Sequence, residues 1–359
     1  MNGKKIRIGI VGAGFITNLA HLPNWARFPD AEVIALCDTD NKRLAETCSS
    51  FRIRNRYSDV TQMLDNEKLD LVDVCTPPAS HTKIASLCLA KGVNCSVEKP
   101  ITVSTDEVDE LVRLSNLHDV RIFPLHTYSY LPCVRKYKSY LQDGKLGNIV
   151  RVSTSYYVNL DQERYTNKEH WVHSLPGGVL NSEITPHLLM LIIELMGNFD
   201  KILLVENESI SKEKPSQPEI EIILMNTVST GTIGLSFSSH LGMQIGDILG
   251  TRGYIHTDFF AQTTVFHEFR RNYTGLLTRG LWATTEITQR IGDLVRMSLG
   301  SLTGRYTTTT EGHRFLFSKI IENLQTGTQY PVKVQDAREV VRAMEQLFAN
   351  YDVREPRIN

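Results

Sequence analysis

The stretch Ile6-Arg7-Ile8-Gly9-Ile10-Val11-Gly12-Ala13-Gly14-Phe15-Ile16-Thr17 decides the fold. A short apolar strand-like run enters a turn containing Gly12 and Gly14, and a helical pattern follows. Glycine is needed where the chain turns sharply and where backbone must come close to a ligand. The helix that follows offers unsatisfied N–H groups and a positive dipole end, which together suit an anion such as a pyrophosphate. Taken alone, the pattern also fits a plain strand–helix turn. Thr17 stands where a third glycine would ease helix–strand packing.

Reading outward, the runs AEVIALCD, LDLVDVCT, VNCSVEK and VRIFPLH alternate with amphipathic stretches such as Asn41 to Ser50 and Thr82 to Ala90. That alternation predicts a parallel sheet with helices on both faces, and strands buried on both faces are apolar nearly throughout. The second run ends in Cys37-Asp38. Asp38 follows Gly14 by 24 residues, near the spacing of about 20 for an acid that holds the adenosine ribose hydroxyls. Glu98-Lys99-Pro100 ends a later strand, at the carboxyl edge where such sheets bind ligands. A solvated Glu-Lys pair is the plain alternative there.

The pattern changes near Pro132. A helix-like segment, Val134 to Gln142, is followed by alternating runs at Ile149 to Tyr157, Lys201 to Glu206, Glu219 to Met225, Gly231 to Ser238 and Gly253 to Asp258. Alternation predicts a sheet with one covered face. The expected fold is therefore α/β: an N-terminal dinucleotide-binding parallel sheet, then an α+β domain with a mostly antiparallel open sheet. The boundaries read as 1–125 and 126–335, with a C-terminal helix over 336–359 returning near the first domain. Ser211 to Pro218 reads as an exposed hairpin loop.

The segment Pro176-Gly177-Gly178-Val179-Leu180-Asn181-Ser182-Glu183-Ile184-Thr185-Pro186-His187 precedes an apolar helical run. Glu183 and His187 are four apart and so share a helix face, an arrangement suited to proton transfer. Alternatively, Glu183 simply complements a helix dipole.

Composition narrows the partners. Of 359 residues, 41% are hydrophobic and 22% charged, and the net charge is −1, so no overall field favours nucleic acid or an anionic membrane. The apolar runs are too short to span a bilayer. The start lacks the features of a signal peptide, so a cytoplasmic location is expected. The six cysteines form no C-x-x-C pair, and those in apolar runs read as small hydrophobes.

At this point the chain resembles the glucose-fructose oxidoreductase/inositol dehydrogenase/rhizopine catabolism family, Gfo/Idh/MocA, over nearly its whole length. The residues carrying the resemblance are Gly12 and Gly14, Asp38, Thr76-Pro77-Pro78, Glu98-Lys99-Pro100, Gly144-Lys145-Leu146-Gly147, Gly177-Gly178…His187 and Tyr330-Pro331-Val332. The resemblance implies an NAD(P)-dependent dehydrogenase or reductase of Rossmann type. It acts on a secondary hydroxyl or ketone of a sugar, cyclitol or nucleotide sugar, without a metal. NAD(H) is the expected cofactor and NADP(H) the alternative. Lys99, His187 and Glu183 are the expected catalytic residues, Lys99 resembling the catalytic lysine and His187 the general acid/base. Glu183 stands where the family has aspartate, and Ser129 where it often has arginine. Cofactor contacts fall to Gly12, Gly14, Phe15, Ile16, Asp38, Thr76, Pro77, His81, Glu98 and Lys99. Glu98 matches a position that holds cofactor ribose.

Substrate contacts are expected from Lys99, His126, Tyr128, Tyr165, His170, Trp171, Glu183 and His187. Trp171 either stacks on a sugar ring or packs in the core. His170 and His173 have ligand-like spacing, but no further ligands complete a metal set. Phe266 to Tyr306 looks inserted and holds six arginines. Within it Ile287, Ile291, Leu294 and Ser298 fall on one helix face, which reads as an oligomer contact, a lid, a weak membrane-surface helix or an ordinary packed helix. A homo-oligomer is expected by the same resemblance. The competing functional readings are a dihydrodiol-type dehydrogenase or reductase on a non-sugar substrate, and a non-catalytic sensor of cofactor or sugar.

Overall fold

The computed structural model describes residues 5–158, 167, 169–207, 219–237, 242–269, 276–302 and 310–349. Its chain divides into two compact units, Met1–Thr127 with Thr310–Glu345, and Tyr128–Thr309 with Gln346–Asn359.

In the first unit, strands β1 (Ile6–Val11), β2 (Ala31–Cys37), β3 (Asn55–Tyr57), β4 (Leu71–Val74), β5 (Asn94–Glu98) and β6 (Ile122–Leu125) form one sheet in the order 3-2-1-4-5-6. All pairs are parallel. The chain leaves β1 toward β2 on one side and later returns to β4 on the other. That reversal is the switch point beside which open α/β sheets bind ligands. The helices are α1 (Leu22–Trp25), α2 (Asn41–Phe51), α3 (Val60–Asn66), α4 (His81–Ala90) and α5 (Thr105–Leu117). Asp40 caps α2 by accepting from the N–H groups of Lys42 and Arg43, satisfying donors a helix start leaves open. Val11, Val72, Val74, Cys95, Val97 and Ile122 share one buried core.

The second unit begins with α6 (Pro132–Gln142) and β7 (Ile149–Tyr157), and continues with α7 (Thr185–Met196), β8 (Lys201–Asn207), β9 (Glu219–Met225), β10 (Thr230–Ser236), β11 (Met243–Gly250), β12 (Gly253–Asp258), β13 (Thr263–Glu268) and α8 (Leu276–Leu302). The seven strands lie in the order 13-12-11-7-10-9-8, antiparallel throughout except where β10 pairs parallel to β7. Burial alternates along β9 and β10, so one face of the sheet is covered. Helix α7 packs so close that a Cβ on Gly231 would lie 2.4 Å from Ile192. The segment read as inserted is largely α8. Its inward side is polar: the Gln289 amide accepts from Phe266 N–H and donates to Phe266 C=O, and Asp293 accepts from Lys136 and Thr264 N–H. This occupies backbone groups on edge strand β13. Ile287, Ile291, Leu294, Val295, Leu299 and Leu302 face outward.

Helices α9 (Glu311–Thr326) and α10 (Val334–Phe348) follow. Helix α9 lies in the first unit, beyond the boundary read from sequence, because Phe317 stacks on Trp25 at 3.9 Å and Leu316 and Ile320 are fully buried. Ala337 and Val341 of α10 belong to the same core as Val11 and Val74. All six cysteines are free and buried. The hairpin loop read at Ser211 to Pro218 lies outside the described residues, as does the end of the C-terminal helix beyond residue 349.

Candidate active site

The glycine turn ends β1. Gly12 has φ +99°, and a Cβ there would lie 2.6 Å from the Cys75 carbonyl oxygen. Only glycine fits, both for the left-handed backbone and for the close approach of β4's exit. Gly14 has nothing within 4 Å of the place its Cβ would take, so the chain leaves open space there. Phe15 beside it is exposed. Thr17 donates from its buried hydroxyl to Gly12 C=O at 2.7 Å, which accommodates a side chain where the third glycine was missing. The helix that Ile16 opens runs as a π turn over Thr17–His21 before α1.

Asp38 follows β2 directly. Its Oδ2 accepts from Ala13 N–H at 2.7 Å and its Oδ1 from Asp40 N–H. The carboxylate thus braces the glycine turn and keeps lone pairs for further donors. Arg43 Nε lies 3.8 Å from Oδ2, so this arginine, five residues on in the sequence, forms an ion pair with the carboxylate. Glycine cradle, helix start and carboxylate together fit the pyrophosphate and ribose of a dinucleotide.

Thr76 and Pro77 follow β4 and lead into α4. His81 opens that helix fully buried, with Nδ1 2.9 Å from Pro100 C=O and Nε2 2.7 Å from Thr76 C=O. It is a strut between the loops after β4 and β5. Burial pushes its pKa down, against the pull of the two carbonyls.

Glu98 ends β5 in a buried network that the sequence reading did not find. Its Oε1 lies 3.0 Å from His21 Nε2 and 3.1 Å from His313 Nε2, and its Oε2 accepts from Lys99 N–H at 3.0 Å. Its carboxylate therefore engages the protein's own groups. On the far side, His21 Nδ1 lies 2.7 Å from Asp73 Oδ2, which also accepts from Trp25 Nε1, while Ser96 donates to Asp73 Oδ1. Burial opposes the Glu98 carboxylate, yet the histidine hydrogen bonds and charges hold it well below the usual range. Burial likewise opposes charge on His21, but Asp73 and then Cys75 raise it well above normal. The signal for this network was in the sequence: an aspartate within the apolar strand Leu71-Val72-Asp73-Val74, which must be paired if buried.

His126 directly follows β6. It is fully buried, and neither ring nitrogen has a hydrogen-bond partner among the described residues. Burial pushes its pKa down to about 4, with Glu98 pulling up and Lys99 pushing down, so the ring is neutral near pH 7.

In the second unit, His187 sits in the first turn of α7. Tyr128, from the short helix Thr127–Tyr130, stacks on its ring at 3.9 Å and 15°. Glu183 lies in a π turn, Leu180–Ile184, that precedes α7; such turns recur at functional sites. Ser182 fixes that turn by donating to Val172 and Gly178 carbonyls. Ser129 is fully buried. Trp171 lies in a single turn, Trp171–His173, and is 37% exposed, which rules out the core alternative. His170 Nδ1 accepts from Val172 N–H. Tyr165 lies outside the described residues. Metal-like clusters among the described residues are His21, Glu98 and His313, and His21, Asp73 and Cys75, all within the hydrogen-bonded network above.

Comparison with known proteins bears on these groupings. Residues 6–126 match the model of the oxidoreductase family with an NAD-binding Rossmann fold, Gfo/Idh/MocA. The chain is 29% identical to D-apiose dehydrogenase of Paraburkholderia graminis over 144 residues, 40% of this chain and 38% of that one. The chain thus matches well under half the length of that relative. Myo-inositol 2-dehydrogenase of Thermotoga maritima is 23% identical over 72% of this chain and 77% of its own. The fold is shared with the WlbA dehydrogenase from Bordetella pertussis, solved with NADH and UDP-GlcNAcA, at TM-score 0.74 and 16% identity over 96% of this chain and 97% of that one. With a glycine cradle, a bracing aspartate and a Glu-Lys-Pro edge on one parallel sheet, and that sheet matched by the family's own model, residues 6–126 form an NAD-binding Rossmann domain of the Gfo/Idh/MocA oxidoreductase type.

Proposed function

We propose that the protein is an NAD(H)-dependent dehydrogenase or reductase acting on a secondary hydroxyl or ketone of a sugar, cyclitol or nucleotide sugar. The observation that carries the reading is the grouping at the carboxyl edge of the first sheet. There Gly12, Asp38 and Lys99 directly follow strand ends, and Gly14 and Thr76 lie within three residues of one. The bound nicotinamide supplies hydride chemistry. Gly12 to Ile16 would hold its pyrophosphate and Asp38 its adenosine ribose. Dehydrogenases and an NADH–UDP-sugar complex among the similar proteins support the substrate class.

Oxidising an alcohol requires removal of the hydroxyl proton as hydride departs. His187, an imidazole titrating near neutrality in the ordinary case, takes that proton. Stacking on Tyr128 fixes its ring plane. Lys99 stabilises the developing alkoxide, and the buried Glu98 network holds its backbone. The test is NAD(H) fluorescence with a panel of sugars, cyclitols and UDP-sugars. Turnover on at least one is expected. NADH binding with no turnover across the panel would favour a sensor.

A further inference from the structure

The least accounted-for feature is the pair of histidines on Glu98. His21 lies between two carboxylates, Asp73 on Nδ1 and Glu98 on Nε2, at 2.7 and 3.0 Å. A neutral imidazole has one donor only, so one of these contacts would set lone pair against lone pair. Both are short, and the ring is completely buried. His21 therefore carries both protons, as an imidazolium. The other groups around it are the Cys75 thiol at 3.1 Å, the Trp25 indole that shares Asp73, and the His313 and Phe317 rings. Two anions and one cation remain in the cluster, and His313 adds a second donor to Glu98 Oε1. His313 itself stays neutral, because burial pushes its pKa down while Glu98 pulls up.

The elements involved are far apart in sequence. His21 comes from the π turn after the glycines, Asp73 from β4, Glu98 from β5 and His313 from α9. Through Glu98 Oε2 they converge on one backbone group, the Lys99 N–H. We propose that His21 and His313 are positioning residues for Lys99: with Asp73 they clamp the Glu98 carboxylate, whose second oxygen fixes the Lys99 backbone. The proposal rests on reading Lys99 as the electrostatic partner in hydride transfer. A misplacement of about 1 Å in such a group can cost about a hundredfold in rate.

Three measurements on the full chain test it. First, histidine ring 15N NMR should show both His21 nitrogens protonated at pH 7.5. A neutral His21 overturns the clamp whatever the enzyme's substrate. Second, His313→Leu should lower kcat about tenfold or more, with the NADH Kd within about threefold. His313→Gln, whose amide can restore a donor to Glu98, should stay within about threefold of the parent. Equal losses in both variants, or a parallel loss of NADH affinity, would make His313 a packing residue only. Third, after reductive 13C-methylation, the Lys99 signal, identified by its absence in Lys99→Arg, should move in His313→Leu and not in His313→Gln. A signal unmoved in both overturns the proposal. This third readout and the first need no turnover, so failure of the sugar panel would sink the proposed reaction and leave the clamp separately decided. A stoichiometric metal lost in His313→Leu would also overturn it, since a metal-bound Nε2 carries no proton.

Discussion

Lys99 and His187 carry the proposed chemistry, and each variant isolates one role. General acid/base catalysis by one group contributes about 10²–10⁴-fold, and a well-placed electrostatic donor about 10²-fold or more. Lys99→Met and His187→Ala are each expected to lower kcat by at least about 10²-fold, with NADH affinity largely kept. Retention of more than about a tenth of the activity by either variant refutes its role. Asp38 is the residue proposed to set cofactor choice. A carboxylate repels a 2′-phosphate, and Arg43 is drawn toward that same carboxylate. In Asp38→Ala the arginine loses this partner and the repulsion goes, so the preference for NADH over NADPH should narrow several-fold or more. Ala13 N–H loses its acceptor too, so NADH itself should bind more weakly. Fluorescence titration with both cofactors gives the ratio; an unchanged ratio contradicts the assignment.

At the scale of elements, the two glycines of the first turn separate folding from binding. Gly12→Ala forces a left-handed φ and a clash with the Cys75 carbonyl. It should cost at least about 2 kcal/mol. Gly14→Ala meets open space and should keep the melting temperature while weakening NADH. Equal melting shifts for both would contradict the reading of Gly14 as ligand space. The strands of the first sheet were legible because burial on both faces leaves an apolar run, but β3, three residues at the sheet edge with Arg56 at its centre, carries no such run. In the second sheet β11 was missed for a related reason: Gly246, Asp247 and Gly250 interrupt its alternation. The periodicity of α8 was visible, yet its direction was not. Periodicity marks a face without saying which way it points, and here Gln289 and Asp293 take the inner one. The proposed site residues lie in contiguous motifs that a sequence displays directly. His21 and His313 were not, because only the folded chain brings the glycine helix and α9 to one carboxylate.

For the molecule as a whole, buried histidines shape the response to pH. His126 has its folded pKa lowered to about 4, below the unfolded value of about 6.5. Its unfolded form binds the extra proton, so stability falls as pH drops from about 6.5 toward 4, by on the order of 3 kcal/mol at most. His126→Phe should flatten that acid limb in urea titrations; an unchanged slope between pH 7 and 4.5 argues against the depressed value. His21 runs the other way. Its raised pKa gives stability that is fully present below about 6.5 and lost as pH climbs through the folded value. Glu98, lowered, contributes above about 4.5 and is lost in stronger acid. The window where both contributions are whole lies between about 4.5 and 6.5.

The discontinuous first unit has a consequence for the order of events during synthesis. Its sheet leaves the ribosome complete by Thr127, but Phe317, Ala337 and Val341, which close its core, emerge about 200 residues later. At about 5–20 residues per second the nascent sheet waits roughly ten to forty seconds with that flank uncovered. A released fragment of residues 1–127 should therefore bind a hydrophobic dye, aggregate and fail to bind NADH. Supplying residues 310–349 in trans should reverse all three. A fragment that binds NADH unaided would show that the late helices only reinforce a core already closed.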